Sequence, residues 1–206
     1  MIDRRSVLTA AASLASIGLA RTAPVMATPK AVTPSGNSHD LIIVGAGTAG
    51  LPAAIFASRR GARVLVLDAA PVVGGTLFYS TGQMSAANTR LQRERGIDDS
   101  ADAHFDDVMR ISRNTANPEL VRLAVDQAGP MLDWLMDSGF EPMPDHPVMG
   151  LGHEFYSKRR YYWGKNGGRS ILEVLTRELE AARGTGRIDV VLNCRVTSLL
   201  QSDAGR

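Results

Sequence analysis

The segment that most constrains this chain is Gly45-Ala-Gly-Thr-Ala-Gly50, a G-x-G-x-x-G pattern that follows the apolar run Leu41-Ile-Ile-Val44. An Ala-rich stretch typical of a helix comes next, and a second apolar run then ends at Asp68. A strand, a glycine turn, a helix and another strand form a βαβ unit, in which the two strands are parallel. The sequence therefore predicts an α/β fold built around a parallel sheet.

Each glycine of this pattern has a physical task at a dinucleotide site. Gly45 permits a tight turn, Gly47 leaves room for a pyrophosphate, and Gly50 lets the helix pack close to the strand. The N–H groups at the start of the helix then face the phosphate oxygens. Asp68 stands 23 residues after Gly45, where a carboxylate accepts hydrogen bonds from a ribose and repels a 2′-phosphate. This combination argues against NADP.

The sequence after Asp68 favours FAD over NAD. A second glycine pair, Gly74-Gly75, opens an irregular segment over residues 74–87 that is rich in Gly, Ser and Thr. An NAD-only domain usually continues into another regular helix and strand. Small residues let the backbone pass close to a large flat ligand, and their hydroxyls can bond its polar edge. We therefore expect a flavin nucleotide.

Four segments of the sequence carry a family resemblance. The first segment is residues 40–76, DLIIVGAGTAGLPAAIFASRRGARVLVLDAAPVVGGT. It resembles the N-terminal FAD fingerprint of glutathione-reductase-like flavoproteins. The other three segments are STGQMSAAN, NPELVRLAVDQAGPMLDWLMDSGF and GGRSILEVLTREL. They resemble the fumarate reductase/succinate dehydrogenase flavoprotein family, which includes 3-ketosteroid dehydrogenase-like members. The resemblance covers residues 39–200. It implies a Rossmann-like FAD/NAD(P)-binding domain of the glutathione-reductase type, with a parallel sheet, helices and an extra small β element.

The resemblance also implies which residues bind FAD. The pyrophosphate is assigned to Gly45, Ala46, Gly47, Thr48, Ala49 and Gly50, the adenosine to Asp68 and Ala69, the ribityl and flavin to Gly74, Gly75, Thr76, Thr81, Gly82 and Gln83, and the adenine to the backbone of Val196. No histidine lies between His39 and His104, so we expect non-covalent binding. Thr76 and Gln83 stand where fumarate reductases usually have Asn and Gly, which leaves the substrate open.

The implied reaction is hydride transfer between flavin N5 and a C–C bond activated by a carbonyl or carboxylate, as a dehydrogenase or a C=C reductase. The implied partners are a small-molecule substrate, such as a carboxylate or ketosteroid, and an electron donor or acceptor. In the family the catalytic acid and base come from a capping domain and a C-terminal half. We therefore expect residues 39–206 to be the N-terminal half of a FAD-binding domain, incomplete at its C-terminus and inactive alone. Two alternatives stay open: an amine oxidase-like flavoprotein and a non-catalytic FAD-binding fragment.

The N-terminus resembles a twin-arginine signal peptide over residues 1–27. Arg4 and Arg5 precede Val7–Ala20, a run of small and apolar residues with Ser and Thr. This predicts export to a bacterial periplasm through the twin-arginine machinery, with residues 28–38 as a flexible linker. The chain has 23 Lys+Arg and 21 Asp+Glu, a net charge of +2 that lies wholly within residues 1–27. A neutral remainder argues against a nucleic-acid binder, and a single cysteine, Cys194, excludes an intrachain disulfide.

The remaining patterns give coarser expectations. The acidic stretch at residues 98–107 predicts a helix start, and Ser170 is predicted to cap a later helix. Gly129-Pro130 is expected to break or kink the helix that begins at Asn117, and residues 188–200 to hold one or two strands. The basic and aromatic stretch at residues 153–169 leaves two interpretations: a positive loop that attracts an acidic substrate, or a partly solvated loop whose aromatic side chains pack on the core.

Overall fold

The computed structural model describes residues 38–150 and 154–200. Along the chain its regular elements are β1 (Leu41–Val44), α1 (Gly50–Arg59), β2 (Val64–Leu67), a 3-10 helix (Gly75–Phe78), β3 (Met84–Ser85), α2 (Arg90–Glu94), α3 (Ala101–Ile111), α4 (Pro118–Asp137), β4 (Tyr161–Tyr162), α5 (Gly168–Arg183) and β5 (Ile188–Val191). The predicted signal peptide and the linker up to residue 37 lie outside the described residues.

The main sheet is parallel, with strand order β1-β2-β5. Strands β1 and β2 are short runs of Ile, Val and Leu, and β5 has the same composition except for Asp189, which suits a parallel sheet. Helix α1 provides the crossover between β1 and β2, as the βαβ pattern predicts. The expected α/β fold with a parallel sheet and helices is confirmed.

The two faces of this sheet differ in burial. Val64 and Val66 of β2 are fully buried on the face that α1 and α5 cover, and Ile188 of β5 is 4% exposed there. The side chains alternate along each strand, so Ile42 and Val44 lie on the opposite face, where they are 59% and 60% exposed. The core therefore sits between the sheet and the two helices.

A second, smaller sheet stands apart from the first. Strands β3 and β4 pair antiparallel, with Met84 opposite Tyr162 and Ser85 opposite Tyr161. This is the extra small β element that the family resemblance implies. Its first strand follows directly on the segment that is predicted to contact the flavin, residues 81–83.

Helix α4 is continuous through Gly129-Pro130, so of the expected break or kink, the break was wrong. The helix begins as predicted, because the side chain of Asn117 accepts hydrogen bonds from the N–H groups of Glu119 and Leu120 at 2.9 and 3.1 Å. Gly129 has a packing role instead: a Cβ there would lie 2.5 Å from the carbonyl oxygen of Ala87. Neither α4 nor any other helix in the described ranges is long and apolar enough to cross a membrane.

The last two elements differ from the sequence prediction at their ends. Helix α5 begins at Gly168 rather than after Ser170, whose hydroxyl accepts a hydrogen bond from the N–H of Asn166 at 3.0 Å. Strand β5 ends at Val191, and residues 192–200 contain no second strand. The chain turns at Asn193, which has a φ of +55°.

Two leucines test where the core lies. Leu175 of α5 is 2% exposed and Leu123 of α4 is 63% exposed. We expect Leu175→Ala to lower the free energy of unfolding by about 2–5 kcal/mol because it leaves a cavity, and the matched Leu123→Ala to change it by less than about 0.5 kcal/mol. Urea denaturation followed by circular dichroism measures both. Equal losses for the two variants would contradict this packing.

Candidate cofactor-binding site

The glycine turn between β1 and α1 is shaped by two close approaches. Gly45 has a φ of +105°, a backbone conformation that favours glycine, and its N–H donates to the carbonyl of Leu67 at 2.7 Å. A Cβ on Gly50 would lie 1.8 Å from the carbonyl oxygen of Gly45. Helix α1 can therefore start this close to β1 only because residue 50 is glycine.

The start of α1 presents a set of unused hydrogen-bond donors. Four successive backbone N–H groups have no acceptor among the described residues, namely those of Gly47, Thr48, Ala49 and Gly50. Thr48 and Ala49 are exposed, and a Cβ added to Gly47 would meet no atom within 4 Å. Open space above free N–H groups at the positive end of a helix is suited to an anion such as a phosphate.

Asp68 is tied to this turn through its carboxylate. One oxygen, Oδ2, accepts a hydrogen bond from the N–H of Ala46 at 2.6 Å, and Oδ1 accepts one from Ala70 at 2.7 Å. A carboxylate oxygen has a second lone pair, so each can still accept a hydrogen bond from a ligand hydroxyl. The acid at the end of β2 thus joins the glycine turn at the end of β1.

The second glycine pair also reaches this turn. The N–H of Gly74 donates to the carbonyl of Ala46 at 2.7 Å, and a Cβ on Gly75 would lie 3.4 Å from the Cα of Gly47. Both glycines have positive φ, +122° and +53°. The two glycine segments, far apart in sequence, therefore lie against each other.

A cavity of about 370 Å³ adjoins these segments. Its lining includes five of the predicted cofactor residues, Thr48, Thr76, Thr81, Gly82 and Gln83. The Gly82 segment packs tightly against the start of α5, because a Cβ on Gly82 would lie 2.5 Å from the backbone of Gly167 and Gly168. The structure thus brings the start of α1 and the predicted flavin-side residues to one opening.

The other predicted residues lie nearer to Asp68. Ala69 is exposed next to that acid. The segment after β5 runs past it, since the N–H of Cys194 donates to the carbonyl of Asp68 at 2.8 Å and that of Asn193 to Ala70 at 3.0 Å. Val196 follows two residues later and is half-buried, but it is not in the strand where we expected it.

The cavity wall also contains residues that the sequence analysis missed. Pro52, Met131 and Trp134 line it. Trp134 was expected only in the core; it is half-buried and its ring lies 4.9 Å from that of Phe56. Pro52 lies in the first turn of α1, directly after the predicted pyrophosphate residues. That proximity is a signal in the sequence, whereas nothing local points to Met131 or Trp134.

A buried ionic cluster lies behind β3 and β4. Arg160, which is completely buried, donates to Asp99 through Nε at 2.7 Å and Nη2 at 2.6 Å, and to Asp107 through Nη1. Burial lowers the pKa of Arg160, but the two carboxylates outweigh it and raise the pKa overall. Burial likewise raises the pKa of Asp107, while hydrogen bonds from Ser157 and Arg160 hold it well below its usual value. Arg160 and Asp107 are therefore both charged at neutral pH.

This cluster changes the interpretation of both charged stretches. Asp102 lies in the first turn of α3, as a helix start requires, but Asp99 and Asp107 are the partners of Arg160. The basic stretch is likewise divided, because Arg160 and Tyr162 are buried. Its remaining cations in the described part of the chain are exposed, namely Lys158, Arg159, Lys165 and Arg169.

His104 of α3 borders the same cluster. It is 3% exposed, and its Nε2 lies 2.8 Å from the hydroxyl oxygen of Ser85. Burial and then the charge of Arg160 lower its pKa to about 4, so the ring is neutral at pH 7. Its Nδ1 has no hydrogen-bond partner among the described residues.

Comparison with known proteins places this architecture. The family described as "FAD binding domain" matches residues 40–206. The NADH:fumarate oxidoreductase of Klebsiella pneumoniae is 35% identical over 166 residues, which are 81% of this chain and 17% of that protein. The chain thus spans less than a fifth of the length of this relative.

Two solved structures are similar to the fold. The open conformation of a flavocytochrome c3 fumarate reductase matches with a TM-score of 0.68 and 29% identity, over 82% of this chain and 29% of that one. The 3-ketosteroid-Δ4-(5α)-dehydrogenase of Rhodococcus jostii matches with a TM-score of 0.68 and 24% identity, over 85% of this chain and 42% of that one. The second likeness concerns the fold alone.

The residues of the site fit FAD. Four free N–H groups at a helix start suit its pyrophosphate, a carboxylate with spare lone pairs suits its ribose, and a partly apolar cavity suits a ring. FAD is the cofactor that both the matched family and the fumarate reductase relatives indicate.

The buried His104 predicts a pH dependence of stability. Below pH 6.5 the unfolded chain binds a proton there, whereas the folded chain does so only near pH 4. Stability therefore falls as the pH decreases through this window, by on the order of 3 kcal/mol from His104. Urea denaturation at pH 7 and pH 4.5 measures the loss, which should be smaller in His104→Gln.

A second buried histidine, His146, does not disturb this comparison. Burial also lowers its pKa, but it is present in both proteins and its contribution cancels. Asp107 does not interfere, because the stabilisation from a carboxylate with a lowered pKa is lost only near and below its ordinary pKa of 3.8. An equal loss in the two proteins would contradict the buried, neutral state of His104.

Proposed function

Because the chain belongs to the FAD-binding domain family of the fumarate reductase/succinate dehydrogenase flavoproteins, we propose that it is the cofactor-binding part of an oxidoreductase that transfers hydride to or from a C–C bond. The observation that carries this proposal is the pair of hydrogen bonds that connect Ala46 to Asp68 and Gly74. These bonds bring together an anion site and a cavity of suitable size. FAD, when bound, supplies the atom that exchanges the hydride.

The glycine turn holds the pyrophosphate in this proposal. The free N–H groups of residues 47–50 donate to its oxygens, and the partial positive charge of the α1 N-terminus adds to the attraction. The peptide of Ala46 keeps the turn in place, since its own N–H and C=O are already bonded to Asp68 and Gly74.

The adenosine half lies along the ends of β2 and β5. The carboxylate of Asp68 accepts hydrogen bonds from ribose hydroxyls through its spare lone pairs. Ala69 is exposed beside it, and the backbone of Val196 contacts the adenine, a role supported by the hydrogen bonds that bring residues 193–194 to this edge.

The flavin half lies at the cavity. Gly74 and Gly75 bring the backbone close to the ribityl chain, and Thr76, Thr81, Gly82 and Gln83 face the ring. Binding is proposed to be non-covalent, on the ground that the sequence has no histidine between His39 and His104.

The proposed substrate class rests on the family resemblance and not on the shape of the cavity. We propose a small molecule in which a carbonyl or carboxylate activates the C–C bond, such as a carboxylate or a ketosteroid, and a separate electron donor or acceptor. The exposed cations Lys158, Arg159 and Lys165 on the described part of the basic stretch are consistent with an anionic substrate.

The described residues alone are expected to bind FAD without turnover. None of the side chains that line the 370 Å³ cavity is ionisable, so the described chain offers no acid or base there for proton transfer. The long remainder of the relatives is the natural source of these groups, because this chain spans only 17% of the Klebsiella protein.

We also propose that the protein is exported to a periplasm. The support is the sequence of residues 1–27, in which Arg4 and Arg5 precede an apolar run too short to span a bilayer. The twin-arginine route carries folded proteins, so FAD can bind before export.

The export proposal is tested with residues 1–38 fused to a fluorescent reporter in a bacterium. The unchanged signal should deliver the reporter to the periplasm, measured by cell fractionation. Arg4→Lys with Arg5→Lys should retain it in the cytoplasm, and Arg21→Lys, which lies outside the pair, should not. Retention of the unchanged fusion, or equal export of the double variant, would refute the proposal.

Gly47→Ala tests the proposed FAD site. A Cβ at this position meets no protein atom within 4 Å, so the variant should keep the melting temperature of the parent chain. The same Cβ occupies the space assigned to the pyrophosphate, and FAD should bind at least about tenfold more weakly. Titration of the chain with FAD, followed by flavin fluorescence, measures the affinity. Unchanged FAD affinity in Gly47→Ala would mean that this turn does not hold the pyrophosphate.

A further inference from the structure

The strand β3 separates the cavity from the buried ionic cluster. Successive side chains of a strand point to opposite faces. Met84 lines the cavity, and the next residue, Ser85, bonds to His104 on the other side. The strand is only these two residues long, and it follows directly on Gly82 and Gln83. Its position therefore determines where the flavin-side wall of the cavity stands.

The cluster behind β3 is attached to the strand at two points. The first is the contact of 2.8 Å between His104 Nε2 and the Ser85 hydroxyl. The second is a backbone hydrogen bond of 3.1 Å from the N–H of Ala86 to the carbonyl of Arg160. Arg160 is held in turn by Asp99, which precedes α3, and by Asp107 within α3.

Neighbouring side chains brace the same region. The side chain of Gln92 donates to Asp99 at 2.8 Å and to the carbonyl of Arg159 at 2.9 Å. The hydroxyls of Thr89 and Tyr162 lie 2.7 Å apart, which joins the start of α2 to β4. Because Arg160 and Asp99 have fully buried side chains, moving either one leaves an uncompensated charge in the interior. Displacing the cluster is therefore costly.

We propose that His104 and Arg160 are positioning residues, which hold β3 so that Gly82, Gln83 and Met84 stand in place for the flavin ring before it binds. This rests on the proposed function, since it assumes that the cavity takes the flavin. Neither side chain lines that cavity, so both act through β3. When the residues of the cavity wall are ordered before FAD binds, they lose less conformational entropy on binding, and the complex is tighter.

FAD affinity is the first measurement. His104→Leu removes the bond to Ser85, and Arg160→Lys removes the planar pair of bonds to Asp99. Each should weaken FAD binding about tenfold, whereas His104→Gln, which keeps a polar atom near Ser85, should restore most of the affinity. Arg60→Lys is the matched control, because Arg60 is exposed at the end of α1 and lies outside the cluster.

Hydrogen exchange of the chain without FAD is the second measurement, and it does not depend on the cofactor. In His104→Leu and Arg160→Lys the N–H of Ala86 should lose protection, while the amides of α5 keep theirs. Retained protection at Ala86 together with unchanged FAD affinity would overturn the proposal. Loss of protection throughout α5 would also overturn it, because the residues would then support the whole fold and not β3.

The two measurements separate the two proposals. An unmodified chain that folds but takes up no FAD would refute the proposed function, and the exchange at Ala86 would still decide whether His104 and Arg160 hold β3. An unmodified chain that binds FAD, with full affinity in His104→Leu, would refute the positioning role alone.

Discussion

The candidate cofactor site depends on the two hydrogen bonds of the Ala46 peptide group, which connect three segments of the chain. The N–H of Ala46 donates to Asp68 at the end of β2, and its carbonyl accepts from Gly74 in the second glycine pair. Ala46 is fully buried, so an unpaired polar group there would be costly. Satisfying both groups brings together three segments that are separate in sequence. The following N–H groups, residues 47–50, are then left to face open space.

A second constraint is the burial of Arg160 between Asp99 and Asp107. In sequence the acidic stretch at residues 98–107 and the basic stretch at residues 153–169 look like two solvated surfaces. In the fold they meet, and the one cation that enters the interior takes a carboxylate from each end of the acidic stretch. The exposed cations around it stay available to a ligand or partner. The basic stretch therefore contributes one cation to the interior and several to the surface.

The hydrogen bonds of Ala46 connect the first glycine turn to the second glycine pair. The cluster around Arg160 is hydrogen-bonded to Ser85 of β3 and to Ala86. The 370 Å³ cavity lies at the segment between these two sets of contacts, where Thr76, Thr81 and Gln83 are accessible. This arrangement combines a rigid frame with short, small-residue loops, which suits a site that must fit closely around a large flat ligand.

The sequence by itself determined the βαβ unit, the glycine turn and the acid at the end of β2. These features depend on local rules: strand and helix patterns, and the space that glycine leaves at Gly45 and Gly50. Segments where local rules compete were less predictable. Pro130 lacks an N–H, yet α4 continues through it, since the helix is held by its packing and Gly129 fits against Ala87.

Only the tertiary structure decided which polar residues are buried and which residues share the cavity. Arg159 and Arg160 are adjacent and chemically identical, but one is exposed and the other has no exposed surface. Met131 and Trp134 line the cavity although they come from α4, and the ring of Trp134 packs against Phe56 of α1. Such choices depend on contacts between residues distant in the chain, which no local pattern encodes, and they are the contacts that complete the site.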